Sequence, residues 1–232
     1  MEMLEKESVE LSIIMPCLNE ENTVGLSIEK AKRYIDRNHI NGEIIIVDNG
    51  SKDASADIAR ECGARVILEP NRGYGNALRT GIANSRGNVI IMGDCDTTYD
   101  FEHLESMYSL LTENKCDMVI GNRYAGGIDE GVMPWSHKWG VRFLSFIGRK
   151  KYHTDVYDFH CGLRGFTRRA VEKLPLQTDG MEFATELIAQ AATNNLRIMQ
   201  VPVKLGRCRQ DRTSKLRTVR DGFRHLKYII CN

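Results

Sequence analysis

A chain of 232 residues with 42% hydrophobic and 27% charged residues has an ordinary globular composition. Its seven cysteines are odd in number and scattered, with no Cys-x-x-Cys pair, which argues against a disulfide framework or zinc site and for a reducing, cytoplasmic setting. The net charge of +1 singles out no partner and no nucleic acid is expected; the N-terminal Met-Glu-Met-Leu-Glu-Lys-Glu carries no signal-like apolar region, and no run of about 18 apolar residues suggests a membrane span.

Short β-branched runs alternate with helical patterns along the first half. Strands are predicted at 11–15, halted by Pro16, at 43–47, ending at Asp48, and at 65–68, 88–92 and 117–120. Helices are predicted between them at 23–37, 54–62, 75–84 and 102–114. Continuous apolar runs of four or five residues suit strands covered on both faces, and the alternation predicts an α/β parallel sheet. After residue 125 the rhythm breaks. A loop is predicted at 126–131, a helix at 135–147, a strand at 158–167 with Cys161 and Gly162 inside it, a helix at 182–194 and an edge strand at 197–203. Residues 204–227 hold nine Lys/Arg and two Asp, a basic tail on a mildly acidic body. Within 216–232, Leu216, Val219, Phe223, Leu226 and Ile230 recur at spacings of three and four, with Arg217, Arg220, Arg224 and Lys227 as a second stripe. That pattern fits a helix lying on an anionic membrane, or one that docks its apolar stripe on the domain.

Ligands of such sheets sit beyond the carboxyl ends of the strands. There the sequence places Asp94 and Asp96, one residue apart after Gly93. Two carboxylates at that spacing form either a solvated turn or a site for Mg²⁺ or Mn²⁺ bound to a diphosphate; their place after the fourth strand favours the cation. Asp48 is positioned to accept hydrogen bonds from a nucleoside, or with Ser51 to cap the helix from residue 54. The segment 71–75, with Gly73 and Gly75, reads equally as a phosphate cradle and as turn residues opening a helix. Arg123, Arg164, Arg209, Arg212 and Lys215 are candidate phosphate ligands. His160 and Cys161 read as packing residues.

The stretches "SIIMPCLNEENTV", "EIIIVDNGSKDAS", "EPNRGYGNALRTGI", "GNVIIMGDCDTTYDF", "DMVIGNRY", "CGLRGFTRRAV" and "SKLRTVRDGFRHLKYI" are collinear over most of residues 11–230. Together they resemble a family 2 glycosyltransferase with the GT-A fold, and within it the polyprenyl-phosphate hexose synthases. The resemblance implies a single domain over 1–232: a nucleotide-sugar half at about 11–125, an acceptor half at about 126–215 and the basic helix at 216–232. It implies that Pro16, Leu18, Asn19, Glu20 and Asp48 line the nucleotide pocket and that Asp94 and Asp96 grip the donor diphosphate through the metal. It places Arg123, Arg209 and Lys215 at donor and lipid phosphates and marks Glu186 as an acidic position of variable role. The implied reaction is inverting transfer of a hexose from UDP-glucose or GDP-mannose to a polyprenyl phosphate at the cytoplasmic face of a membrane. The alternatives are a hydroxyl acceptor, with Asp158, Glu182 or Glu186 as base, and a nucleotide-sugar-binding protein without turnover. The sequence departs from the pattern at Asn49, where a second Asp is common, at Thr98, where some relatives place a further metal ligand, and at Arg212, which replaces a Gly. Many relatives continue into membrane-spanning helices, whereas this sequence stops at Asn232.

Overall fold

The computed structural model describes residues 8–208 and 218–232. Arg209, Arg212, Lys215, Leu216 and Arg217 lie outside the described residues, as does the side chain of Val219. Seven strands form one sheet: β1 (Leu11–Cys17), β2 (Gly42–Asp48), β3 (Arg65–Leu68), β4 (Val89–Met92), β5 (Met118–Asn122), β6 (Arg164–Thr167) and β7 (Ile198–Pro202). Their order is β3-β2-β1-β4-β6-β5-β7. β6 runs antiparallel to β4 and β5, and every other pairing is parallel. The expected parallel-rich α/β sheet is therefore present.

The continuous apolar runs occupy the centre. Ile13, Ile14, Ile45, Ile46, Ile90 and Ile91 are fully buried, as β-branched residues on a doubly covered sheet should be. The covering helices in the first half are α1 (Val24–Arg37), α2 (Ser55–Glu61), α3 (Tyr74–Asn84) and α4 (Glu105–Thr112). α1 buries Val24, Ser27, Ile28, Ala31 and Tyr34, one face at spacings of three and four. The second half adds α5 (Arg123–Gly126), α6 (Trp135–Tyr152), α7 (Arg168–Val171), α8 (Phe183–Thr193) and α9 (Thr218–Cys231).

Three expectations change. Pro16 does not halt β1, which runs on to Cys17 and pairs Pro16 with Val47. β4 pairs with β1 only as far as Ile14, so the amide hydrogen that proline lacks has no strand to bond on that side. The strand predicted at 158–167 is real only from Arg164. Phe159, Cys161 and Leu163 are buried and read as a strand, but the backbone curls around the buried Arg164 side chain. Its guanidinium donates to the carbonyls of Phe159, Cys161 and Ala184, each at 2.7 Å. α9 docks, but through another face than the predicted one. His225, Tyr228 and Ile229 turn inward, while Phe223 and Ile230 are exposed.

Candidate active site

The carboxyl ends of β1, β2, β4 and β5 converge, and the loops that follow are tied to one another. Asn19, in the left-handed region at φ 50°, donates its backbone N–H to Ser51 Oγ at 2.9 Å and accepts from Lys52 N at 2.8 Å. Glu20 is buried; its N–H donates to Ser55 Oγ at 2.7 Å. Pro16 and Leu18 are half-buried beside them. Asp48 is buried, and its carboxylate accepts from the N–H groups of Gly50 and Ser51 at 3.3 Å. It does not cap α2, whose first turn is held instead by Asp53, which accepts from Ser55 N at 3.1 Å.

Asp94 and Asp96 are half-buried at the end of β4. Asp96 Oδ1 accepts from Thr98 N at 3.1 Å and from Thr98 Oγ1 at 2.5 Å, so Thr98 orients a carboxylate. Gly162 is the residue that lets the 159–163 loop approach Asp94, for a Cβ there would lie 2.7 Å from Asp94 Oδ2. Gly162 N–H donates to Tyr99 Oη at 2.8 Å. Burial, then the Asp94 charge, raises the Tyr74 phenol well above its ordinary range, which keeps it a neutral hydrogen-bonding group. No group of three His, Cys, Asp or Glu side chains among the described residues forms a metal cage. Two hard carboxylate groups at a strand end are donors that would suit Mg²⁺ or Mn²⁺.

A cavity of about 190 Å³ opens beside Asp94. Tyr74, Tyr99, Arg123 and Gly162 line it from the sheet side, His137, Val141 and Leu144 from α6, and Asp221, Gly222 and His225 from α9. His160 is also in the wall, which corrects its reading as a packing residue; Cys161 is buried as expected. The His160 and His225 rings meet edge to face, 4.4 Å between centroids. Thr185 Oγ1 lies 2.8 Å from His225 Nδ1 and 3.5 Å from His160 Nε2. Burial holds His225 down at about 4, and burial followed by the neighbouring His225 and Arg123 pushes His160 well below the usual histidine range. The wall therefore presents neutral imidazoles near pH 7. His160 Nδ1 has no hydrogen-bond partner among the described residues.

Several predicted roles do not survive this geometry. Arg123 reaches the cavity, but its Nε and Nη2 each donate to Asp158 at 2.7 Å and its backbone N–H follows at 3.2 Å. The Nε–Nη2 edge of its guanidinium is thus committed to a fully buried carboxylate. Arg164 is buried against three carbonyls and does not line the cavity. Glu186 is buried away from the cavity and holds the 177–178 loop, accepting from Gln177 N at 2.8 Å and from Thr178 N and Oγ1 at 2.9 and 2.6 Å. That loop explains Gly73 and Gly75. A Cβ at Gly73 would lie 2.2 Å from Asp179 O, and one at Gly75 2.2 Å from Thr178 O. Gly75 N donates to Asp179 O at 2.9 Å, so the start of α3 is closed by protein backbone and cradles no phosphate. The histidines were missed because they lie on α6, the 159–163 loop and α9, with no local signal joining them.

The profile of glycosyl transferase family 2 matches residues 12–175. The chain is 36% identical over 223 residues to the low-salt glycan biosynthesis hexosyltransferase Agl6 of Haloferax volcanii, covering 96% of this chain and 53% of that relative. It thus spans about half the length of that relative. It is 29% identical over 198 residues to the dolichyl-phosphate hexose transferase of the same organism, covering 84% of this chain and 82% of that one. Among solved structures, the glucosyl-3-phosphoglycerate synthase of Mycobacterium tuberculosis in complex with Mn²⁺, UDP-glucose and phosphoglyceric acid superposes with a TM-score of 0.74 at 20% identity, over 96% of this chain and 79% of that one. That likeness concerns the fold, which is GT-A.

Proposed function

The chain belongs to glycosyl transferase family 2, and on that premise we propose that it moves a hexose from UDP-glucose or GDP-mannose to a polyprenyl phosphate at a membrane surface. The observation that carries the acceptor is the state of the carboxylates. Asp158 is held by Arg123, Glu186 by the 177–178 loop, and Glu182 by Arg224 at 2.5 Å. A hydroxyl acceptor needs a base at the reacting atom; none of these three lines the cavity beside Asp94, and Asp158 and Glu186 are engaged through both oxygens, Glu182 through Oε1 alone. A phosphate acceptor brings an anionic oxygen of its own. That oxygen would form the new bond to the anomeric carbon as the bond to the nucleoside diphosphate breaks, with inversion.

Asp94 and Asp96 are the residues that would hold the cation, which when bound stabilises the departing diphosphate. Asp48, with the strand-end residues Pro16, Leu18, Asn19 and Glu20, forms the nucleoside side of the site. The names of the relatives support the hexose and the lipid phosphate. The experiment is a donor and acceptor screen with Mg²⁺ or Mn²⁺, using a polyprenyl phosphate, a phosphoglycerate and simple glycosides as acceptors. The expected product is a glycosyl phospholipid, and Asp94→Asn or Asp96→Asn lowers its rate about a hundredfold or more. Turnover confined to hydroxyl acceptors, or full activity in chelator, would overturn the reading.

A further inference from the structure

α6 and α9 pack side by side and share one arrangement. Each turns one face to the cavity and the opposite face to solvent. On α6 the cavity face is His137, Gly140, Val141 and Leu144. At 100° per residue these fall within an arc of about 100°. Trp135, Trp139, Phe143 and Phe146 are 75%, 58%, 59% and 55% exposed, and fall within about 80° on the other side. On α9 the cavity face is Asp221, Gly222 and His225, and the opposite stripe is Arg220, Phe223, Lys227 and Ile230, all exposed. Two adjacent helices that both present an inner face to one cavity form a layer, and the outer surface of that layer is aromatic.

Four aromatic side chains in one solvent-facing stripe are costly to leave in water and mark an interaction surface. Charge selects the occupant. α6 contains five Lys/Arg and no Asp or Glu, in a chain whose total charge is only +1. Tryptophan with phenylalanine, bordered by basic side chains, is the composition of a helix lying in the head-group region of a bilayer.

We propose that the outer face of the α6–α9 layer docks on an anionic lipid bilayer, with Trp135, Trp139, Phe143 and Phe146 inserted and the basic residues at the head groups. This names the membrane partner for the lipid-acceptor reading and differs from the sequence expectation, which put the contact on α9 alone. The catalytic cavity then lies directly behind the docked layer. A lipid-borne phosphate has only the thickness of one helical layer, about 10 Å, to cross.

The chain contains two tryptophans, both on this stripe, so selectively excited tryptophan fluorescence reports on this face alone. The full chain is titrated with vesicles of phosphatidylcholine, with and without phosphatidylserine, at low and high salt. Expected results are a blue shift, quenching by lipids brominated on their acyl chains, and several-fold weaker binding without phosphatidylserine or at high salt. Trp139→Ser combined with Phe143→Ser should weaken vesicle binding by about tenfold or more while donor hydrolysis is unchanged. Lys150→Gln with Lys151→Gln should remove part of the salt-sensitive share. Fluorescence that ignores vesicles, or a blue shift that grows with protein concentration in their absence, overturns the proposal; the latter assigns the face to a second copy of the chain. Vesicle binding is read without an acceptor, so its failure is distinct from failure of the polyprenyl phosphate reading.

Discussion

Replacing His225 by Gln tests whether the cavity wall is built from neutral imidazoles. His225 is 5% exposed, and burial holds it at about 4, with Glu182 opposing only in part. An unfolded histidine titrates near about 6.5. Between those values the unfolded chain binds more protons than the folded one, so stability is lost as the pH falls from about 6.5 through about 4. From pH 7 to pH 5, above the ordinary range of carboxylates, the two values correspond to a loss of about 2 kcal/mol. For a chain of this length that lowers the Tm by roughly 4–8 °C. His160 is displaced in the same direction and adds to the slope. Thermal unfolding of the native chain and of His225→Gln at pH 7 and pH 5 supplies the comparison. The native chain should lose more Tm over that interval, by the margin given. Parallel pH dependences in the two proteins would refute the reasoning, because they would mean that His225 titrates alike folded and unfolded.

Asp158→Asn leaves the Arg123 guanidinium buried without its charge partner, which should cost about 3–5 kcal/mol in thermal unfolding. Replacing both residues together, Asp158→Leu with Arg123→Met, should cost less than the single change, and a double variant worse than either single one refutes the pairing argument. Gly75→Ala should destabilise by about 1 kcal/mol or more, because the added methyl meets Thr178 O at 2.2 Å. Helix propensity alone predicts a gain of about 1 kcal/mol, so a raised Tm would show that the 177–179 loop yields.

The first half of the fold was legible because each strand there is a β-branched run that ends in a polar strand end. The pattern needs only neighbours in sequence. The same local reading failed at 158–163, where burial is high but the backbone serves the Arg164 side chain instead of a ladder. At Gly73 and Gly75 it located the opening of α3 at Tyr74 but not the reason for the glycines, which lies more than a hundred residues away at Thr178 and Asp179. Asp94 and Asp96 could be singled out because the motif follows the end of β4 within four residues. Arg123 could not be judged, since the sequence shows a guanidinium but not the Asp158 that occupies it. His137, His160 and His225 meet only through tertiary packing, and α9 shows the same limit. Its strongest apolar periodicity lies partly on the solvent side, while the face that docks carries His225 and Tyr228.

The position of β6 has a consequence for how the molecule is made. β4 and β5 are not neighbours; the slot between them is filled by residues 164–167, which arrive in the chain more than forty residues after β5 ends. A growing chain that has emerged as far as Asn122 can pair β1 with β2 and β4, yet it carries an open apolar edge on β4. β5 meanwhile has no strand to join, because both of its partners, β6 and β7, are still to come. The first half of the chain is thus completed by the second in a literal sense, one strand pushed into its sheet. Severing the chain between them would leave a sticky edge instead of a working module.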